Sequence, residues 1–167
     1  RQMCIRDRFD NTIFVLLGDH GKLVGNPDSE MPQSYNHIPL MFYAPALLTA
    51  EEKENFGGQI DVAPTLLGML RINYIQNNLG IDLLKEERPC MFFSADNMLG
   101  VKDTKHFYIY DTESKQEFNY NIHNGTLSPA TANTTFDLLK TYAFSMLQTT
   151  EYLIRKQLTT DKPHSNP

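Results

Sequence analysis

The apolar residues fall into short runs set between long polar stretches. Residues 11–17, NTIFVLL, form an apolar, β-branched run that stops at Gly18. A run of that length without polar alternation predicts a strand buried on both faces, as in a parallel sheet. Residues 39–43, PLMFY, predict a second buried strand closed by Pro45, and residues 90–94, CMFFS, a third. Residues 106–110 and 117–122 alternate instead and flank a polar segment, which predicts a half-exposed antiparallel hairpin.

Two segments carry a helical period. In residues 59–70 the stripe is Leu66, Leu67 and Leu70, with Asp61 placed to accept backbone N–H groups at the start and Pro64 tolerable in the first turn. The longest pattern covers residues 131–158 and includes Phe136, Leu139, Tyr142, Ala143, Met146, Leu147, Tyr152 and Ile154. Residues 49–55 suggest an exposed turn or helix start, and Asn77-Asn78-Leu79-Gly80 a turn. Residues 18–36 are polar and hold Gly21, Gly25, Pro27 and Pro32; long loops of this kind in compact domains are usually functional. The mixed order of elements suits an α/β fold with an antiparallel edge.

Composition narrows the function classes. The 167 residues suit one domain, and 41% hydrophobic content is ordinary for a globular chain. The net charge of −5 argues against a nucleic-acid surface, which needs clustered Lys and Arg. No apolar run approaches the roughly 20 residues of a membrane-spanning helix. Two cysteines, Cys4 and Cys90, exclude a disulfide scaffold and a zinc site of thiolates alone.

Residues 1–8, RQMCIRDR, match no element pattern and lack an initiating Met. Gln2 to Asp7 back-translates to a string resembling the transposon end ligated to DNA in sequencing libraries. The segment is therefore expected to be adapter-derived and is set apart from the fold. The alternative is an ordinary frayed terminus. On the adapter reading, the natural sequence begins near Phe9 inside a longer protein. Residues 161–167 are expected to be a disordered tail.

The chemistry concentrates at the end of the first strand. Ligand sites in open α/β sheets form just outside such C-terminal strand ends. Gly18-Asp19-His20-Gly21 places a carboxylate beside an imidazole, a donor pair that suits zinc or manganese, and the glycines permit the sharp turn needed to share one ion. The alternative is a turn Asp beside a surface His. His37, just before the second strand, approaches the same site if the two strands are neighbours; otherwise it is a loop histidine bonded to backbone. Lys22 is a candidate for an anionic substrate or a solvated loop residue. Asp96 reads as a turn residue, His106 and His123 as surface residues, and Cys90 as an inert buried thiol. Asn124-Gly125-Thr126 and Asn133-Thr134-Thr135 match the glycosylation pattern, which carries little weight here.

Three blocks in order, NTIFVLLGDHG, SYNHIPLMFYAP and GQIDVAPTLLGMLRI, resemble the C-terminal part of sulfatase-like enzymes in the alkaline phosphatase superfamily. Within it they are most similar to the lipoteichoic acid synthase-like group of phosphoglycerol transferases. The resemblance runs over about residues 11–84, with FFSADNMLG fitting more loosely. It implies the C-terminal part of an α/β sandwich around a mixed sheet, spanning residues 9–160, with an antiparallel hairpin and a long C-terminal helix.

It also implies a divalent metal, manganese or zinc, with calcium or magnesium as alternatives. Asp19 and His20 match the family's metal ligands. His37 matches a histidine near the substrate anion or a second metal. Asp61 matches a structural position. The implied reaction is metal-assisted attack on a phosphate or sulfate ester, by phosphoglycerol transfer or sulfuric ester hydrolysis. Family members supply the nucleophile, a Thr, Ser or modified Cys, from an N-terminal half that has no counterpart here. The chain by itself is thus expected to be inactive. The whole protein is expected at the bacterial cytoplasmic membrane, anchored there with its catalytic domain outside. The rival class is a non-catalytic α/β module that binds a partner through the hairpin and the long helix.

Overall fold

A computed structural model describes residues 6–159 of the chain. Residues 1–5 and 160–167 lie outside it, and with them Cys4, most of the adapter segment and the expected tail. The chain divides into two compact units, Arg1–Glu54 and Asn55–Pro167.

The first unit contains helix α1 (Arg6–Asp10), strand β1 (Phe14–Leu17), the short helix α2 (Gln33–Asn36) and strand β2 (Leu40–Tyr43). Residues 6–8 of the segment set apart on sequence grounds thus begin a helix. Its Phe9 ring lies 5.6 Å from Phe14 and 6.3 Å from Tyr43. β1 and β2 pair antiparallel, with Phe14 opposite Tyr43 and Leu17 opposite Leu40. The expected parallel, doubly buried β1 is not what forms. Leu16 and Leu17 remain 52% and 44% exposed. An apolar run reports a strand's capacity for burial and carries no signal of the direction of its partner. Direction is set here by the connecting segment, which folds back on itself: the Gly21 N–H donates to the Tyr35 carbonyl at 2.8 Å.

The second unit opens with a 3₁₀ turn (Gln59–Asp61) leading into α3 (Val62–Met69). Asp61 is fully buried. It accepts hydrogen bonds from the Gly58 N–H at 2.9 Å and the Ile81 N–H at 2.8 Å, rather than from the first turn of α3. The Thr65 hydroxyl donates to the Asp61 carbonyl at 2.6 Å and accepts from the Leu83 N–H at 3.0 Å. Pro64 and Thr65 are the buried residues of α3, while Leu70 of the expected stripe is 49% exposed.

Strands β3 (Met91–Ala95), β4 (Met98–Lys102), β5 (His106–Asp111), β6 (Glu117–His123) and β7 (Thr126–Pro129) follow as an antiparallel meander in chain order. Helix α4 (Thr134–Arg155) packs on β4 and β5. The core between them is Cys90, Val101, Tyr108, Phe136, Leu139 and Ala143. Asn133 starts α4 by accepting from the Thr135 and Phe136 N–H groups at 2.9 and 3.3 Å, which explains a later start than the apolar pattern suggests. Tyr152 and Ile154, counted in that pattern, are 57% and 62% exposed. Among the described residues every strand pairing is antiparallel. No helix among them is long and apolar enough to cross a membrane.

Candidate metal site at the end of the first strand

β1 delivers the chain directly into Gly18-Asp19-His20-Gly21. The Asp19 side chain is 91% exposed and that of His20 54%. Asp19 Oδ1 accepts from the His20 backbone N–H at 2.9 Å. That bond, with the Asp19 N–H and the neighbouring imidazole, holds the Asp19 carboxyl below the ordinary carboxylate range. The residue is thus ionised at neutral pH, as a metal-binding carboxylate must be.

His20 Nδ1 lies 2.6 Å from the Gly21 carbonyl oxygen. A carbonyl can only accept, so Nδ1 carries the proton and, in the neutral ring, Nε2 keeps its lone pair. Nε2 stands 3.8 Å from Asp19 Oδ2. Zinc bonds to imidazole nitrogen and carboxylate oxygen are each about 2.0–2.2 Å, so a separation below their sum lets one ion touch both atoms. A ring N–H tied to a backbone carbonyl is also the usual outer support of a metal-bound histidine. The donor types and tautomer therefore fit a divalent ion.

The 18–36 segment is built around this pair. The His20 imidazole stacks on Tyr35, ring centroids 4.8 Å apart and planes at 19°. A Cβ at Gly21 would collide with the Ser34 carbonyl oxygen, so glycine is required for the loop to pass α2 this closely. Asp28 Oδ1 accepts from the Gln33 N–H at 3.2 Å at the start of α2. Neither Tyr35 nor the close approach at Gly21 was evident from sequence.

His37 follows α2 directly, with its N–H bonded to the Gln33 carbonyl at 2.8 Å and its ring exposed. The next side chain, Ile38, lies against Gly18. His37 thus sits beside the strand end without joining the Asp19–His20 pair: among the described residues, no three His, Cys, Asp or Glu side chains gather as a ligand set. Lys22 is exposed.

The other candidates resolve in the second unit. Asp96 and Asn97 form the β3–β4 turn, both at positive φ (48° and 64°). His106 is not a plain surface residue. Its Nδ1 lies 3.0 Å from Asp103 Oδ2, and its ring meets Phe136 edge-on at 5.5 Å. Cys90 is buried, and burial together with Asp103 pushes its thiol up, away from nucleophilic use. His123 is exposed, as expected.

Comparison with known proteins places these elements. Over 93% of its length the chain superposes on 38% of a protein in the alkaline phosphatase superfamily from Vibrio parahaemolyticus, with a TM-score of 0.76 at 17% identity. The fold is that of the alkaline phosphatase superfamily. A protein described as a sulfatase, from Bacteroides thetaiotaomicron, shares the fold at a TM-score of 0.56 and 18% identity, over 89% of this chain and 37% of that one. The sulfatase family's sequence pattern matches residues 5–72. That range takes in β1, the Asp19–His20 loop, β2 and α3 of this alkaline phosphatase fold, and ends with the GQIDVAPTLLGMLRI block. The chain is also 28% identical over 129 residues to lipoteichoic acid synthase 2 of Bacillus subtilis, covering 66% of this chain and 19% of that protein. It therefore spans about a fifth of the length of that curated relative.

Proposed function

We propose that the chain forms part of a divalent-metal-dependent enzyme of sulfatase type acting on anionic phosphate or sulfate esters. Its reaction is phosphoglycerol transfer or sulfuric ester hydrolysis. The observation that carries the reading is the Asp19–His20 pair, with Nδ1 tied to the Gly21 carbonyl and Nε2 3.8 Å from Asp19 Oδ2. Its position at the end of β1, inside the segment that matches the sulfatase pattern, supports the same role.

Asp19 and His20 would hold the ion, manganese or zinc by the chemistry of the donors. When bound, such an ion supplies charge stabilisation for displacement at a phosphorus or sulfur centre. Asp19 contributes a carboxylate that stays ionised at neutral pH. His20 contributes a ring whose tautomer is set by backbone. His37, exposed beside the strand end, meets the ester's anionic oxygens or a second ion, and Lys22 lies on the same loop to steer an anion.

Two protein ligands fall short of the usual three plus water of a catalytic site. The remaining ligands and the nucleophile come, on this reading, from residues beyond those matched here, and the 167-residue chain alone turns over no ester. By its resemblance to lipoteichoic acid synthases, the whole protein is proposed to be anchored at the bacterial cytoplasmic membrane with its catalytic domain outside.

The test is thermal unfolding of the chain with and without Mn²⁺ or Zn²⁺. The reading expects a rise in melting temperature that disappears in Asp19→Asn and His20→Ala. An ion effect of equal size in both variants would place the ion elsewhere and remove the reading's support.

A further inference from the structure

Among the described residues, Tyr35 is the aromatic residue stacked on the candidate ligand His20, and the fold fixes both partners of that stack. The Gly21 N–H donates to the Tyr35 carbonyl at 2.8 Å, and the Tyr35 and Asn36 N–H groups both bond to the Pro32 carbonyl at 3.1 Å. Asp28 holds the start of the same turn. The ring of Tyr35 is therefore presented by a closed hydrogen-bonded turn rather than by a loose loop.

The hydrogen bond from His20 Nδ1 fixes one direction of the imidazole. It leaves the ring able to rock about the N–H···O axis. A second ring lying within 19° of parallel, its centroid 4.8 Å away, opposes that motion, because tilting drives one imidazole edge toward the tyrosine face.

We infer that Tyr35 is a positioning residue for the metal site: its ring sets the plane of the His20 imidazole and so aims Nε2 toward the side of the loop that holds Asp19 Oδ2. The inference rests on the proposed role of Asp19 and His20. The contact uses the ring face, so phenylalanine replaces tyrosine and leucine does not. Outer supports of metal-bound histidines commonly alter ion affinity by about 10–100-fold when removed. A loss in that range is expected for Tyr35→Leu, and none for Tyr35→Phe.

The experiment follows the histidine ring resonances of the isotope-labelled 167-residue chain by NMR, first without metal and then during titration with Mn²⁺, which broadens signals near its binding site. Without metal, the wild-type chain is expected to show His20 ring protons shifted upfield by the Tyr35 ring, cross-relaxation between the two rings, and an Nδ1–H tautomer. Tyr35→Phe keeps the shift. Tyr35→Leu loses it and needs about 10–100-fold more Mn²⁺ to broaden His20.

If Tyr35→Leu binds Mn²⁺ like wild type, the positioning role is overturned while the Asp19–His20 reading stands. If Mn²⁺ never broadens His20 in wild type, the metal reading itself fails and the inference falls with it. Should Tyr35→Leu not fold, the wild-type ring shift and cross-relaxation decide alone, and their absence overturns the stack. If Tyr35→Phe loses affinity as Tyr35→Leu does, the hydroxyl rather than the ring face is responsible, and the inference is again overturned.

Discussion

Arg88 closes on both carboxylate oxygens of Asp61, Nη2 to Oδ1 at 2.5 Å and Nε to Oδ2 at 3.2 Å, where Asp61 is fully buried. The same guanidinium donates to the Leu79 carbonyl at 2.6 Å. With the Gly58 and Ile81 N–H groups, this pair ties together the 3₁₀ turn before α3, the 79–81 strap and the approach to β3. Removing one partner of such a pair leaves an uncompensated buried charge and typically costs about 3–5 kcal/mol. Arg88→Ala is expected to lose stability in that range in urea denaturation. A loss below about 1 kcal/mol, the scale of an exposed pair, would mean that the bridge is not closed in solution.

The docking of α4 gives a second expectation. Phe136 is 2% exposed in the core against the meander, whereas Leu138, two residues on, is 70% exposed. Phe136→Ala should cost about 3–5 kcal/mol through lost burial and the cavity left behind. Leu138→Ala should stay within about 0.5 kcal/mol. Equal costs for the two would show that α4 lies on the sheet by another face.

Asp111 supplies a pH-dependent test away from the site. The Ser114 hydroxyl donates to Asp111 Oδ2 at 2.6 Å, and the Glu113 and Ser114 N–H groups converge on Oδ1. These bonds hold its carboxyl below the ordinary range. A carboxylate depressed in the folded state stabilises the fold above its unfolded pKa, and that contribution is lost as pH falls through the folded value. NMR titration should find Asp111 ionising at lower pH than an ordinary aspartate. Ser114→Ala should move its midpoint upward. An unmoved midpoint would show that the turn is open in solution.

Gly21 tests the loop that carries Asp19 and His20. Any Cβ there meets the Ser34 carbonyl. Gly21→Ala should therefore break the Gly21–Tyr35 backbone bond, seen as faster exchange of the Gly21-position amide. Protection equal to that of wild type would contradict the observed loop path.

Much of this arrangement was legible in the chain. The apolar runs placed β1 and β2, the alternating segments placed the β5–β6 hairpin, and helical spacing placed α3 and α4. Asp19 and His20 stood out because a strand ended on them between glycines. Pairing direction did not show, since an apolar run carries no information about its neighbour's sense. β4 and β7 were missed for a different reason. Their turns, Asp96-Asn97 and Asn124-Gly125, take up the positive φ values of tight hairpins; Asp96 reads as a turn residue in sequence, but without a strand after it, and Asn124-Gly125 reads only as part of a glycosylation pattern. In sequence His106 reads as a surface residue, because its partners, Asp103 and Phe136, come from the β4–β5 turn and from α4. Tyr35 could not be assigned because a ring stack across the 18–36 segment leaves no periodic trace.

The central claim, that Asp19 and His20 together bind a divalent ion, is tested most directly by counting zinc retained per chain after equilibrium dialysis of wild type, Asp19→Asn, His20→Ala and His106→Ala. The account predicts one zinc on wild type and on His106→Ala, and its loss from both Asp19→Asn and His20→Ala. A zinc that survives both substitutions, or a wild-type chain that retains none, would contradict it.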